Sequence, residues 1–300
     1  MEHGEGGPKD LRMTRQQVID FLTSGFALAN LPDSFMQLQR IANDPHSDIE
    51  DVVEVAKRDS ELAASLLKLS NSSLYNSAGD EISTIEGAAQ LLGLRKVVES
   101  SLALGVIKKI DIDSSCLDLC CFWKRSLAVA TLSEDVYLAT PRHLKTIVDP
   151  KLLYTAGLLH DIGLLALVQG FAPEMVRTVE TAIAEGLPIQ EVEYREFGFT
   201  HQDVGRILFK KWNLPEELQC VAGYHHNPIE LRRRLFYPLV DLVYIADYIC
   251  CASSRQPVSA FKPKMYEEVW RRSGLSLDMI DSFSDRLDEV VASTEAILSC

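Results

Sequence analysis

His160, Asp161, His201, His225, His226 and Asp247 have side chains that bind metal ions or carry protons, and the two acids sit where such groups are costly. Asp161 lies in Leu158-Leu159-His160-Asp161-Ile162-Gly163-Leu164-Leu165, whose flanks call for burial. A carboxylate in such surroundings needs a hydrogen-bond network, a cation or a metal ion to compensate it. Asp247 poses the same problem within Leu242-Val243-Tyr244-Ile245-Ala246-Asp247-Tyr248-Ile249-Cys250. Two acids in two apolar helices suggest one shared positive partner. With imidazoles beside them, a metal bound through mixed nitrogen and oxygen ligands is the natural candidate, and Fe, Mn or Zn suits such ligands. Each histidine alone has a plainer reading. A single His on a helix is ordinarily a satisfied or surface residue, His225 and His226 also suit the cation-favouring end of a helix, and His201 fits an exposed first turn. Specificity comes from the set and its order.

The elements that carry these residues read as helices throughout. Asp149 followed by Pro150 opens the helix leading to His160. Thr200 and Asp203 open one running through Val204, Ile207 and Leu208. Pro215, Glu216 and Glu217 start one that ends near Asn227–Pro228, and Pro238 begins an apolar helix through Asp247. Upstream, Asp48 to Ala56 and Ser60 to Leu69 have helical apolar spacing, with Asp59 or Ser60 as the second cap. Ser83 and Glu86 form a capping box for a helix that Gly93 should stop. Ile280, Phe283, Leu287, Val290 and Ile297 repeat as one face near the C-terminus. The fold class expected is all-α. A polar break at Asp111–Ser115 divides residues 14–112 from residues 113–300, after a loose tail over residues 1–13. Loops are expected at Pro141–Asp149 and Ser253–Pro263.

The 300 residues are 47% apolar and 24% charged, ordinary for a globular chain. A net charge of −13 argues against sequence-independent binding of nucleic acid or anionic membrane. The apolar run Leu152 to Val168 is interrupted by His160 and Asp161, so no membrane span is expected. The cysteines include no C-x-x-C pair, and their odd number of 7 points to reduced thiols and a cytoplasmic location. Cys116 and Cys120 share a helical face, and buried core thiols are the reading preferred. Arg232, Arg233 and Arg234 follow the paired histidines, and Arg206 and Lys210 share a face. Arg206, Lys210 and Arg232 are candidates to hold phosphates, and a solvated basic surface is the alternative.

The order His-Asp, His, His-His, Asp resembles the HD superfamily of metal-dependent phosphohydrolases, including its HD-GYP branch of cyclic-dinucleotide phosphodiesterases. The wider text is more similar to the related HDOD family. The matching segments are Leu31-Pro32, Lys57-Arg58-Asp59-Ser60, Leu66 to Ser72, Ser83 to Ala88, Leu91 to Leu94, Phe122 to Ala130, Gly157 to Gly163, His201 to Gly205, Trp212 to Glu217 and His225 to Pro228. Together they span roughly Leu31 to Cys251. The resemblance implies a multi-helical HD-like bundle with an N-terminal helical HDOD subdomain. It implies a metal centre of His160, Asp161, His201, His225, His226 and Asp247, with Asp161 bridging two metals and indispensable to any catalysis.

This chain departs from the HD pattern in four places. Arg125 stands where the first histidine belongs, and Cys121 where an upstream acidic ligand of trinuclear sites would fall. Leu164 replaces the lysine that often follows the doublet, and the GYP signature is absent. A guanidinium has no free lone pair and stays protonated, so Arg125 cannot ligate a metal. It can pair with Asp161 or Asp247 and replace the metal, or leave a reduced site for one ion. The expected function is therefore a signalling or regulatory protein with a degenerate centre, recognising a protein or nucleotide partner. The alternatives are a metal-dependent phosphohydrolase acting on a nucleotide or cyclic dinucleotide, and a nucleotide sensor that does not cleave.

Overall fold

A computed structural model describes residues 15–23, 37–38, 40–41, 44, 46–58, 60–72, 75–76, 81–107, 117–232, 234–252 and 263–298. No strand occurs among the described residues. The expected tail at 1–13, the Leu31-Pro32 match, the Asp59 cap, the boundary at Asp111–Ser115, Arg233 and most of the Ser253–Pro263 loop lie outside them.

The N-terminal half supplies α1 (Arg15–Thr23), α2 (Ile49–Arg58), α3 (Ser60–Ser70) and α4 (Ile85–Ile107). Asp48 and Asp51 cap α2 reciprocally, each carboxylate accepting from the other's backbone N–H. The cap of α4 is Thr84 rather than Ser83: its hydroxyl accepts the Gly87 N–H at 3.0 Å. Gly93 breaks the helical backbone at φ 78°, ψ 157°, but a second helical stretch starts at once, so α4 is kinked rather than stopped. The sequence beyond Gly93, with Val97 and Val98 buried, still has an apolar face to cover.

The C-terminal half holds α5 (Leu119–Ala139), α6 (Arg142–Lys145), α7 (Leu153–Leu159), α8 (Ile162–Glu185), α9 (Ile189–Phe197), α10 (His201–Lys211), α11 (Glu216–Tyr224), α12 (Tyr237–Ala252), α13 (Glu267–Arg272) and α14 (Met279–Leu298). Asp149 caps a 3-10 turn, Pro150–Leu152, that feeds α7. Thr200 and Asp203 cap α10 as their spacing requires. Pro173 inside α8 has no N–H to give the preceding turn, and the helix bends at Phe171 (φ −141°, ψ 43°). Phe21 of α1 packs edge-on against Phe171 at 5.3 Å, filling the bend.

Helix α5 is the central post, with α7, α12 and α14 against it, while α8 and α11 flank α10. The N-terminal helices α2, α3 and α4 pack together and reach the rest through α4 on α7 and α14 on α3. One buried apolar cluster runs from Val18 through Val97, Trp123, Leu165 and Tyr244 to Val290, so both halves share a core. The stretches Pro150–Glu185 and Arg234–Ala252 are long and apolar enough to cross a membrane by composition, yet 89% and 61% of their apolar segments are buried inside the protein. They are core helices of this bundle.

The cysteine expectation needs correction. Cys220 and Cys250 are buried thiols outside any disulfide, but Cys121 is exposed. Cys120 is disulfide-bonded and only partly buried, so it is not a reduced core thiol.

Candidate metal centre

The six predicted residues converge at the junction of α5, α7, α8, α10, α11 and α12, and each is at most 2% exposed. Asp161 sits between α7 and α8 with φ −97°, ψ 11°. An aspartate there ordinarily turns back to cap the helix. This one makes no side-chain cap bond, so its carboxylate is free to face inward. Two glycines set the spacing. A Cβ on Gly157 would stand 2.7 Å from the Ala130 backbone of α5, and one on Gly163 would collide with the His201 carbonyl and the Gly205 backbone of α10. Only glycine lets α7 and α8 approach their neighbours closely enough to bring Asp161 to His201.

The two carboxylate oxygens of Asp161 face different partners. Oδ1 lies 3.1 Å from His225 Nε2, 3.3 Å from His201 Nε2 and 4.0 Å from His226 Nε2. Oδ2 lies 3.1 Å from Arg125 Nη1 and 3.3 Å from His160 Nε2. Arg125 reaches on to Asp247, donating to Oδ1 from Nη2 at 2.7 Å and from Nε at 3.0 Å. Asp161 and Asp247 thus do share one positive partner, and it is Arg125.

Three imidazoles are held by their other nitrogen. His160 Nδ1 is 2.6 Å from the Gly157 carbonyl. His225 Nδ1 lies 3.2 and 3.1 Å from the Val221 and Ala222 carbonyls at the end of α11. His201 Nδ1 lies 2.7 Å from Glu193 Oε2, which also accepts the His201 backbone N–H at 2.9 Å. Each partner is an acceptor, which assigns the proton to Nδ1 and turns Nε2 toward Asp161. Glu193, fully buried on α9, is a functional candidate that the sequence reading missed. The surrounding sequence gives little signal, being mostly charged and polar, and only the packing of α9 against α8 buries it.

The charges follow from this geometry. Burial resists ionisation of Asp161, but His160 and Arg125 outweigh it and hold the carboxyl well below the usual range. Burial likewise opposes charge on His201, yet Glu193 and Asp161 raise it to about 10. His160 is raised against its burial by Asp161. Burial wins at His225, which is lowered, and at His226, where the neighbouring His225 and His201 push further down. Burial also works against Arg125, but Asp247 and then Asp161 keep it firmly protonated.

The donor set fits a single metal ion. One ligand atom from each of Asp161, His201, His225 and His226 can be chosen so that all lie within 4.8 Å of one another. His201 Nε2 has no aligned hydrogen-bond partner although it is buried. His225 Nε2 lies 3.1 Å from Asp161 Oδ1: with the ring proton on Nε2 the pair is a hydrogen bond, and with the proton on Nδ1 both atoms turn lone pairs toward a position that a cation would fill. The fixed Nδ1 bonds are the outer-shell arrangement that orients metal-binding imidazoles. On the Oδ2 side, by contrast, the guanidinium already occupies the cationic position. A metal on the Oδ1 side would acidify a bound water and polarise a phosphoryl oxygen.

The remaining expectations fall elsewhere. Cys121 turns outward and donates to Asp118 at 3.2 Å, and Leu164 is buried in the core. Arg206, Lys210 and Arg232 are exposed, with Arg206 lying over the Tyr224 ring at 5.7 Å.

Comparison with known proteins agrees with this architecture. The HDOD domain model matches residues 28–228. An HDOD domain protein of unknown function from Geobacter sulfurreducens has a solved structure with 26% identity and a TM-score of 0.77, covering 93% of this chain and 96% of its own. A protein of Shewanella amazonensis SB2B, provisionally named a phosphohydrolase, shares the fold at 20% identity and TM-score 0.71, over 93% of this chain and 97% of its own. A Treponema pallidum (strain Nichols) protein named only as uncharacterized is 24% identical over 222 residues, 73% of this chain but 41% of that protein's length. On the match over residues 28–228, this chain belongs to the HDOD domain family.

Proposed function

We propose that this protein is a signalling or regulatory module that recognises a protein or nucleotide partner, its centre holding at most one metal ion. The observation that carries this reading is Arg125, set between Asp161 Oδ2 and Asp247 Oδ1. A dinuclear phosphohydrolase centre needs a second cation against those same oxygens. A guanidinium supplies the charge permanently and offers no lone pair or open coordination position. The missing lysine at Leu164 and the outward Cys121 support the same conclusion.

The four clustered donors favour a second reading, a single-ion phosphohydrolase acting on a nucleotide or cyclic dinucleotide. Metal analysis of the purified protein, beside hydrolysis assays on bis(p-nitrophenyl) phosphate and a cyclic dinucleotide, separates the two. The regulatory reading expects no more than one Fe, Mn or Zn per chain and no turnover. Two ions per chain, or turnover that Asp161→Asn abolishes without unfolding the protein, overturns it. Arg125→His restores a ligand where the HD pattern has one, and on this reading it raises the metal content.

A further inference from the structure

The second part of α8 and the whole of α9, residues 173–197, form a helical hairpin joined to the rest at two non-helical points. At its start the α8 backbone breaks at Phe171 (φ −141°, ψ 43°), and Pro173 gives no N–H back across the break. At its end Gly198 takes φ 74°, and Thr200 is extended (φ −125°, ψ 167°) before α10 begins. Short joints at the ends of intact elements are where hinge motion is absorbed.

The hairpin is tied to itself. Arg195 of α9 donates to the two Glu185 oxygens of α8 at 2.5 and 3.1 Å. Ala182, Val192 and Leu187 form a small apolar cluster apart from the shared core, while Met175 and Ile189 rest against that core. Toward the candidate centre the hairpin extends Glu193, whose Oε2 accepts from His201 Nδ1 at 2.7 Å and from the His201 backbone N–H at 2.9 Å. The Thr200 backbone N–H, one residue earlier, is instead held by Asp203 of α10 itself at 2.9 Å. Two adjacent amides are thus anchored to different bodies.

Phe21 of α1 stands at the first joint. Its ring lies edge-on to Phe171 at 5.3 Å, and a Cβ on Gly170 would come within 2.6 Å of it. Helix α1 is fixed there from the body, since Lys211 at the end of α10 donates to the Leu22 carbonyl at 2.6 Å.

We infer that the hairpin is a hinged arm, held closed by Phe21 at the α8 bend, whose swing brings Glu193 to His201 or withdraws it. The inference rests on the regulatory reading of the centre and supplies its moving part. With the arm open, the His201 ring loses the acceptor that fixes its orientation. Whatever favours the closed arm therefore favours an ordered His201, and the reverse holds equally.

The test is amide hydrogen exchange of the full chain, without metal or substrate, read residue by residue by NMR. An arm that swings as a unit releases the His201 N–H while the Thr200 and Val204 N–H groups stay protected. Fraying of α10 would instead release Thr200 and His201 together. Phe21→Ala should speed exchange at His201 at least about 10-fold with Thr200 and Val204 unchanged. Phe21→Leu, which half-fills the bend and perturbs the fold less, should give a smaller increase in the same place. Arg195→Ala breaks a link internal to the arm and should leave His201 exchange as it was. The inference is overturned if Thr200 and His201 exchange together, if neither Phe21 variant speeds His201, or if Arg195→Ala speeds it as much as Phe21→Ala. Because neither metal content nor turnover enters this measurement, its failure leaves the reading of the centre to its own assays.

Discussion

At the scale of single residues, the two oxygens of one carboxylate face different chemistry. Asp161 Oδ2 is satisfied by Arg125, whereas Oδ1 faces the Nε2 atoms of His201, which is raised to about 10 and brings positive charge, and of His225, which is lowered. Glu193 decides how His201 enters that arrangement, because one of its oxygens accepts both the ring and the backbone N–H. Glu193→Ala strands two buried donors, and denaturant unfolding should show a loss of about 3 kcal/mol or more. Glu193→Gln keeps an acceptor of the same shape without the charge, so its stability cost is smaller. If His201 is a ligand, Gln also weakens Mn or Zn binding by about 10- to 100-fold in titration calorimetry. Unchanged affinity would mean that His201 does not touch the ion. The histidines and aspartates were legible because polar groups inside apolar runs demand a reason. Glu193 was not, since Ile189-Gln190-Glu191-Val192-Glu193-Tyr194-Arg195-Glu196 reads as a solvated face until α9 is laid against α8.

At the scale of elements, helices meet through a few fixed polar links as well as apolar faces, and the join of α12 to α13 is one. Asp241 on α12 is 2% exposed and paired with Arg272 on α13. Burial raises its carboxyl to about 6 even though the Arg272 hydrogen bonds pull it down, and Glu268 adds to the rise. A folded-state value above the unfolded one means that the folded protein holds the proton more tightly. This contribution to stability is therefore fully present below the unfolded value near 4 and is lost as pH rises through about 6. Arg272→Ala removes the partner, raises the Asp241 value further and should cost about 3 kcal/mol at pH 7. The loss should shrink toward pH 4, where Asp241 is neutral with or without Arg272. Unfolding curves at the two pH values check it, and an equal loss at both would mean that Arg272 acts by packing alone. The helix caps at Asp149 and Thr200 could be read directly, being local chemistry. The restart of α4 after Gly93 was hidden, because a glycine stop and a glycine kink have the same sequence signature.

At the scale of the whole molecule, the all-helical class followed from apolar periodicity, but how the two halves join did not, because it rests on contacts far apart in the chain. The apolar core runs through both halves, and Lys96 of α4 stands at the join. Its ammonium lies 2.8 Å from Glu134 of α5 and 3.8 Å from the centre of the Tyr154 ring of α7, with its side chain 15% exposed. A desolvated cation held by both a carboxylate and an aromatic face is worth more than a surface pair. If that contact couples the halves, the native protein melts in a single calorimetric transition. Lys96→Ala should then lower stability by about 2–3 kcal/mol, since it leaves Glu134 without this cation as well as emptying the space over Tyr154. Lys96→Met keeps the aliphatic stem and should recover the packing share but not the charged share. The decisive readout is the shape of the transition. A split into two steps in Lys96→Ala identifies the residue as the coupling between the halves, whereas a single step displaced to lower temperature assigns cooperativity to the continuous apolar core and leaves Lys96 only a local role.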